Sequence, residues 1–139
     1  MSAKDFFHDT VRVALEKDGW KITKDPLFLK LTQQFRINID LKAEKFIVAE
    51  KSTRTIVVEI KSFVSKSAVS EFHIAVGQFL NYRLALDQLA LEWVLDLAIP
   101  IDVYQDFFSD LFVQTVLEKY QIKLLVFNAQ KQEITLWKN

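Results

Sequence analysis

Residues 37–61 read INIDLKAEKFIVAEKSTRTIVVEIK, and this stretch decides the fold. It divides into a strand carrying Asp40, a short hairpin, and a strand ending in Glu59-Ile60-Lys61. Side chains alternate along an extended strand, so Glu59 and Lys61 project to one side while Ile60 points the other way into the core. Ile56, Val57 and Val58 are β-branched and uncharged, as in a strand buried on both faces, so the charged pair stands at the rim of a hydrophobic element. Half-buried charges require a partner or a metal. The same residues also fit a solvated strand end, with Glu59 and Lys61 as a same-face ion pair contributing about 0.2–1 kcal/mol. With the hairpin turning at Lys51 to Arg54, Glu44 falls across from Lys61 and Phe46 across from Glu59.

In order and approximate spacing, Asp40, Glu59 and Lys61 resemble the motif of the PD-D/ExK nucleases, whose fold is restriction-endonuclease-like. Phosphodiester hydrolysis by such a site uses a hard divalent cation, usually Mg²⁺, held by carboxylate oxygens and waters. The resemblance implies Asp40, Glu59 and the backbone carbonyl of Ile60 as metal ligands. It implies Lys61 as the group that orients water or stabilises charge developing on the phosphate. One departure is plain: the proline that names the motif is absent, and Ile39 precedes Asp40. On the long helix expected from Val69 to Leu89, Gln78 and Tyr82 are four residues apart and share a face. They resemble the QxxxY element that follows ExK in RecB-like branches of the superfamily, where the pair lines the active-site groove. Taken alone, Tyr82 equally fits an amphipathic core edge and Gln78 a solvent position.

The resemblance narrows further with the runs Lys4-Asp5-Phe6-Phe7-His8-Asp9, Lys17-Asp18-Gly19-Trp20, Asp25-Pro26-Leu27, Val58 to Phe63 and Gly77 to Leu86, and with Ala98-Ile99-Pro100 and Val103-Tyr104. Together these are similar to the XisH family of cyanobacterial fdxN-element excision controlling factors. That likeness implies a small protein acting with a sister factor, XisI, in or beside a DNA rearrangement performed by a separate recombinase. It leaves two function classes open. One is a Mg²⁺-dependent DNA endonuclease or nicking subunit, with Asp40, Glu59, Lys61, Gln78 and Tyr82 as its catalytic residues. The other is a non-catalytic regulatory module on the same fold.

Length and composition set the frame. A chain of 139 residues buries roughly two-thirds of its unfolded surface, enough for a single domain over residues 1–139. Half of the residues are hydrophobic and only 2 Gly and 2 Pro interrupt them, which excludes a long flexible linker. The absence of cysteine removes disulfides and thiolate zinc sites. No apolar run is long enough for a membrane span and no signal-peptide core follows Met1, so the expectation is a cytoplasmic protein. The expected order is helix (Lys4 to Asp18), strand (Lys21 to Thr23), an irregular Pro26 segment, the motif strand pair, the long helix, and a strand from Glu92 to Ile99. A helix from Val103 to Tyr120 and a terminal hairpin, Lys123 to Asn128 with Glu133 to Lys138, complete it. This α-β-β-β-α-β order with an appended α-β-β is an α/β class, with a mixed sheet flanked by helices.

Charge bears on partners. Eighteen basic and eighteen acidic residues balance, whereas a protein gripping duplex DNA normally carries surplus positive charge. Lys42, Lys45, Lys51 and Arg54 around the hairpin, with Lys61 and Lys66 after it, fit either a local phosphate track or scattered solubilising lysines. His8, Arg12 and Glu16 share one face of the first helix, where nucleases of the resembled fold often bring an acid or histidine to the metal; more often such a face is solvated, with Arg12 to Glu16 an ordinary helix pair. Phenylalanine numbers 12, with Tyr104, Phe107, Phe108, Leu111 and Phe112 crowded into the late helix. Core packing accounts for most of these, and a surplus leaves material for an interface with an XisI-like protein or a second copy, alongside DNA as the expected substrate partner.

Overall fold

The hairpin turns three residues earlier than its charge pattern suggests. In the computed structural model, which describes residues 3–64 and 67–139, with residues 3–5 as backbone only, the turn occupies residues 48–51. Lys51 takes a left-handed φ of 53° there, and the Glu50 and Lys51 amides donate to the Ile47 and Val48 carbonyls. Arg54 reaches back to ion-pair with Glu50. The resulting register pairs Leu41 with Val58, Glu44 with Thr55 and Phe46 with Thr53. Glu44 is therefore not opposite Lys61, nor Phe46 opposite Glu59; Asp40 is the residue brought level with Glu59.

The elements run α1 (Ala3–Lys17), β1 (Lys21–Lys24), β2 (Leu27–Lys30), β3 (Arg36–Ile39), β4 (Leu41–Ile47), β5 (Ser52–Ile60), α2 (Ala68–Gln88), β6 (Val94–Pro100), α3 (Ile101–Asp106), α4 (Leu111–Lys119), β7 (Leu124–Asn128) and β8 (Glu133–Lys138). A six-stranded sheet has the order β1-β4-β5-β6-β7-β8, with β5, β6 and β7 parallel and the remaining neighbours antiparallel. The parallel strands need crossovers, which α2 and the α3–α4 segment supply. One sheet face packs Val57, Leu95, Leu97, Ile99, Leu124 and Val126 beneath α2 and α4. The other packs Ile56, Val58, Ala98, Leu125 and Phe127 against Val11 and Leu15 of α1. Both faces of β5, β6 and β7 are thus buried, which is why their sequences read as continuous apolar runs. The fold is a mixed α/β sheet flanked by helices. Among the described residues no helix is long and apolar enough to cross a membrane.

Three expected elements differ. The strand expected to carry Asp40 breaks at that residue into β3 and β4, which belong to different sheets. The segment after Pro26 is not irregular: β2 and β3 form a separate antiparallel hairpin pairing Leu27 with Ile39 and Leu29 with Ile37. Leu27, Ile37 and Ile39 are buried while Phe28 and Asn38 face out, the period-two alternation of a half-buried strand. The expected helix from Val103 to Tyr120 breaks at Phe107 to Asp110, where the Asp110 carboxylate accepts from the Phe112 and Val113 amides and caps α4. The break separates the apolar residues crowded into that expected helix. Phe108 is wholly buried, with edge-on contacts to Phe63, Phe72 and Phe107, whereas Leu111 and Phe112 remain 85% and 69% exposed.

Candidate active site

Strand parity carries β5 from core to site. Val57 packs under α2, Glu59 emerges two residues later on that same face, and Ile60 points instead toward α1. The Lys61 amide donates to the Ala98 carbonyl at 2.9 Å, extending the parallel ladder one residue and holding Lys61 in line with Glu59. Its ammonium lies 3.6 Å from Glu59 Oε2. Asp40 sits at the bend joining β3 to β4. Its amide donates to Glu59 Oε1 at 3.3 Å, and its Oδ2 accepts from the Ile60 amide at 2.8 Å. Asp40, Glu59 and Lys61 therefore meet in one place, and the backbone of each acid's neighbourhood orients the other acid.

Electrostatics follow from that crowding. Glu59 is only 8% exposed. Burial, joined by the Asp40 charge and a hydrogen bond shared with its side chain, pushes the Glu59 carboxyl up to about 8, against the opposing pull of Lys61. Tyr82, one turn after Gln78 on α2, is also raised, first by burial and then by the Glu59 and Asp40 charges, so its phenol lies within their field. The Gln78 side-chain oxygen is buried and has no hydrogen-bond partner among the described residues. A buried amide oxygen left without a donor is a costly arrangement for a purely structural position.

The donor set suits a hard divalent cation. Asp40 and Glu59 supply two carboxylates whose mutual repulsion a cation would offset, and Ile60 lies between the Glu59 and Lys61 that flank them. Among the described residues no group of three His, Cys, Asp or Glu side chains gathers to hold a metal, so further ligands fall to carbonyl, water or substrate oxygens.

The other expected contributors divide. His8 lines a small cleft with Asp40, Ile60 and Ser62. It is already bonded to Asp25 at 2.7 Å, and Arg12 pairs with the same carboxylate. Asp25 is thus a tie between α1 and the segment before β2 that residue spacing did not single out, because an acid before a proline reads as a turn. Glu16 is exposed and pairs with Arg12 at 3.9 Å, away from the cleft. Three of the four hairpin cations are ion-paired within the chain. Lys42 pairs with Glu44 at 3.2 Å, Lys45 with Asp18 at 3.8 Å, and Arg54 with Glu50. Lys66 lies outside the described residues.

Fold and site together define a mixed α/β protein with a buried acid, a half-buried acid bonded to its strand, and a lysine at the C-terminal end of a parallel strand. The chain matches the family model described as XisH protein over residues 1–135. Among solved structures it is similar to an XisH family protein from Nostoc punctiforme PCC 73102, at 42% identity with a TM-score of 0.85, covering 97% of this chain and 100% of that one. It is similar also to an fdxN element excision controlling factor protein from Anabaena variabilis, at 40% identity and a TM-score of 0.85, covering 97% and 99%. No curated protein matches it. The chain belongs to the XisH family.

Proposed function

We propose that this protein is a factor in programmed excision of DNA, carrying a PD-D/ExK-type endonuclease or nicking site on a restriction-endonuclease-like fold. The observation that carries this reading is the reciprocal bonding of Asp40 and Glu59 beside Lys61. The likeness to the fdxN element excision controlling factor protein from Anabaena variabilis supports the excision role. Asp40, Glu59 and the Ile60 carbonyl would hold Mg²⁺, which when bound polarises a phosphate and lowers the pKa of a water. Lys61 sets a positive charge against the phosphate, where charge grows during hydrolysis. Tyr82, its proton retained by its raised pKa, donates a hydrogen bond to the bound strand, and Gln78 supplies the orphaned acceptor beside it. Calorimetric titration of Mg²⁺ into the wild type and Glu59→Gln tests the metal site: saturable heat in the first and none in the second is expected. Equal heats, or none in either, contradict it.

A second reading has its own observation. The zero net charge and the pairing of Lys42, Lys45 and Arg54 within the chain favour a module that reaches DNA through a partner. In that reading the protein is a regulatory subunit that controls a separate recombinase in the cytoplasm together with an XisI-like protein.

A further inference from the structure

A second concavity lies on the opposite face of the sheet from Glu59. α1 ends at Lys17, and Gly19, at φ +92°, turns the chain so that Trp20 folds back under the sheet; a Cβ there would come within 3.3 Å of the Lys45 side chain. Beyond that end the sheet face is not covered by helix. It forms a cleft of about 750 Å³ lined by Trp93 and by Trp20 and Trp137, which pack on each other with ring centroids 6.0 Å apart and planes tilted by 45°. This volume is in the range of small-molecule sites.

Asp96 lines the cleft, on the sheet face shared by Ile56 and Ala98. Its side chain is only 3% exposed, yet among the described residues no hydrogen-bond donor reaches its carboxylate. A carboxylate so placed is expensive unless something supplies donors. Lys123 lines the same cleft but forms no ion pair with it; its charge only moderates the effect of burial, which raises the Asp96 carboxyl to about 7. No aspect of the proposed Asp40 and Glu59 chemistry uses this group. Exposed indole faces favour a planar ligand, and a carboxylate that opens on the cleft favours parallel N–H donors.

We infer that this cleft is a small-molecule site that takes a planar group bearing two parallel N–H donors, received by Asp96 against an indole face of the Trp20–Trp137 pair, with any anionic group of the ligand directed to Lys123. Two sources share that chemistry, a guanine base and a free guanidinium, and the test separates them. Tryptophan fluorescence of the full chain is titrated with GMP and with L-arginine, and with AMP and L-lysine as controls lacking the paired donors. Saturable quenching by GMP alone assigns the base, and by L-arginine alone the guanidinium. Asp96→Asn should weaken that binding roughly tenfold or more, because one acceptor becomes a donor, while its melting temperature stays at or above that of the wild type. Trp137→Leu, which removes a wall without touching the acid, should weaken it also. Equal quenching by the controls, no quenching by any of the four, or unchanged affinity in both variants overturns the inference.

Discussion

The amide of Asp40 donates to Glu59, and the amide that follows Glu59 donates to Asp40, at 3.3 and 2.8 Å. Each acid is aimed by the other's strand, so neither is free to turn to solvent. The chain thereby keeps two carboxylates crowded together, with Glu59 nearly closed off from water, and the consequences are measurable.

In the fold Glu59 keeps its proton up to about 8, whereas in the unfolded chain it ionises near 4.5. Between those values the native state binds more protons, so the stability Glu59 contributes is complete below the lower value and is lost as pH rises through the upper one. Glu59→Gln should flatten this part of the melting-temperature profile. Mg²⁺ needs the ionised acid, so it should raise the melting temperature more at about pH 9 than at about pH 6. Equal shifts at both pH values would falsify a cation site built on Glu59.

Lys61 is half-buried at the end of β5 and is not part of either apolar cluster. Lys61→Ala should therefore shift the midpoint of urea unfolding by no more than about 1 kcal/mol of stability. DNA cleavage should nonetheless fall by about 100-fold or more, because a charge aimed at the transition state is gone. Full cleavage by the folded variant contradicts the role.

The break at Phe107 to Asp110 predicts opposite outcomes for two phenylalanines four residues apart. Phe108→Ala should cost about 3–5 kcal/mol in urea unfolding, since the ring is wholly buried among Phe63, Phe72 and Phe107. Phe112→Ala should cost about 0.5 kcal/mol or less. Similar losses would show that the two rings share one environment.

Leu111 and Phe112 offer an apolar surface that the chain itself does not cover. With an XisI-like protein the chain should co-elute on size exclusion, and duplex binding should appear or strengthen only in the mixture. Phe112→Asp should abolish co-elution while leaving the melting temperature unchanged. Tight binding of duplex DNA by the protein alone, with a steep salt slope, counts against dependence on a partner.

Much of this was legible in the chain because apolar periodicity is dense and breakers are few. The buried runs of β5, β6 and β7, the helix carrying Gln78 and Tyr82, and the parity of Glu59 with Lys61 all follow from side-chain alternation. What escaped depends on backbone conformation. The left-handed Lys51 shifts the hairpin and so replaces an expected Glu44–Lys61 pairing with the meeting of Asp40 and Glu59. The β2–β3 hairpin was hidden by Pro26 and a polar turn, and the Asp110 cap by an uninterrupted helical period. Asp96 gave no signal at all: a single acid within Val94 to Pro100 reveals neither its burial nor the cleft it lines.

The most direct test of the proposed site is a plasmid-nicking assay with Mg²⁺ on the purified wild type, Asp40→Asn and Glu59→Gln, each with and without the XisI-like partner. A site in which the two acids act together predicts nicking by the wild type in at least one of those conditions, its loss on chelating the metal, and its loss in both variants. Nicking that survives either substitution in a folded protein, or a wild type that leaves the plasmid intact in both conditions, contradicts it.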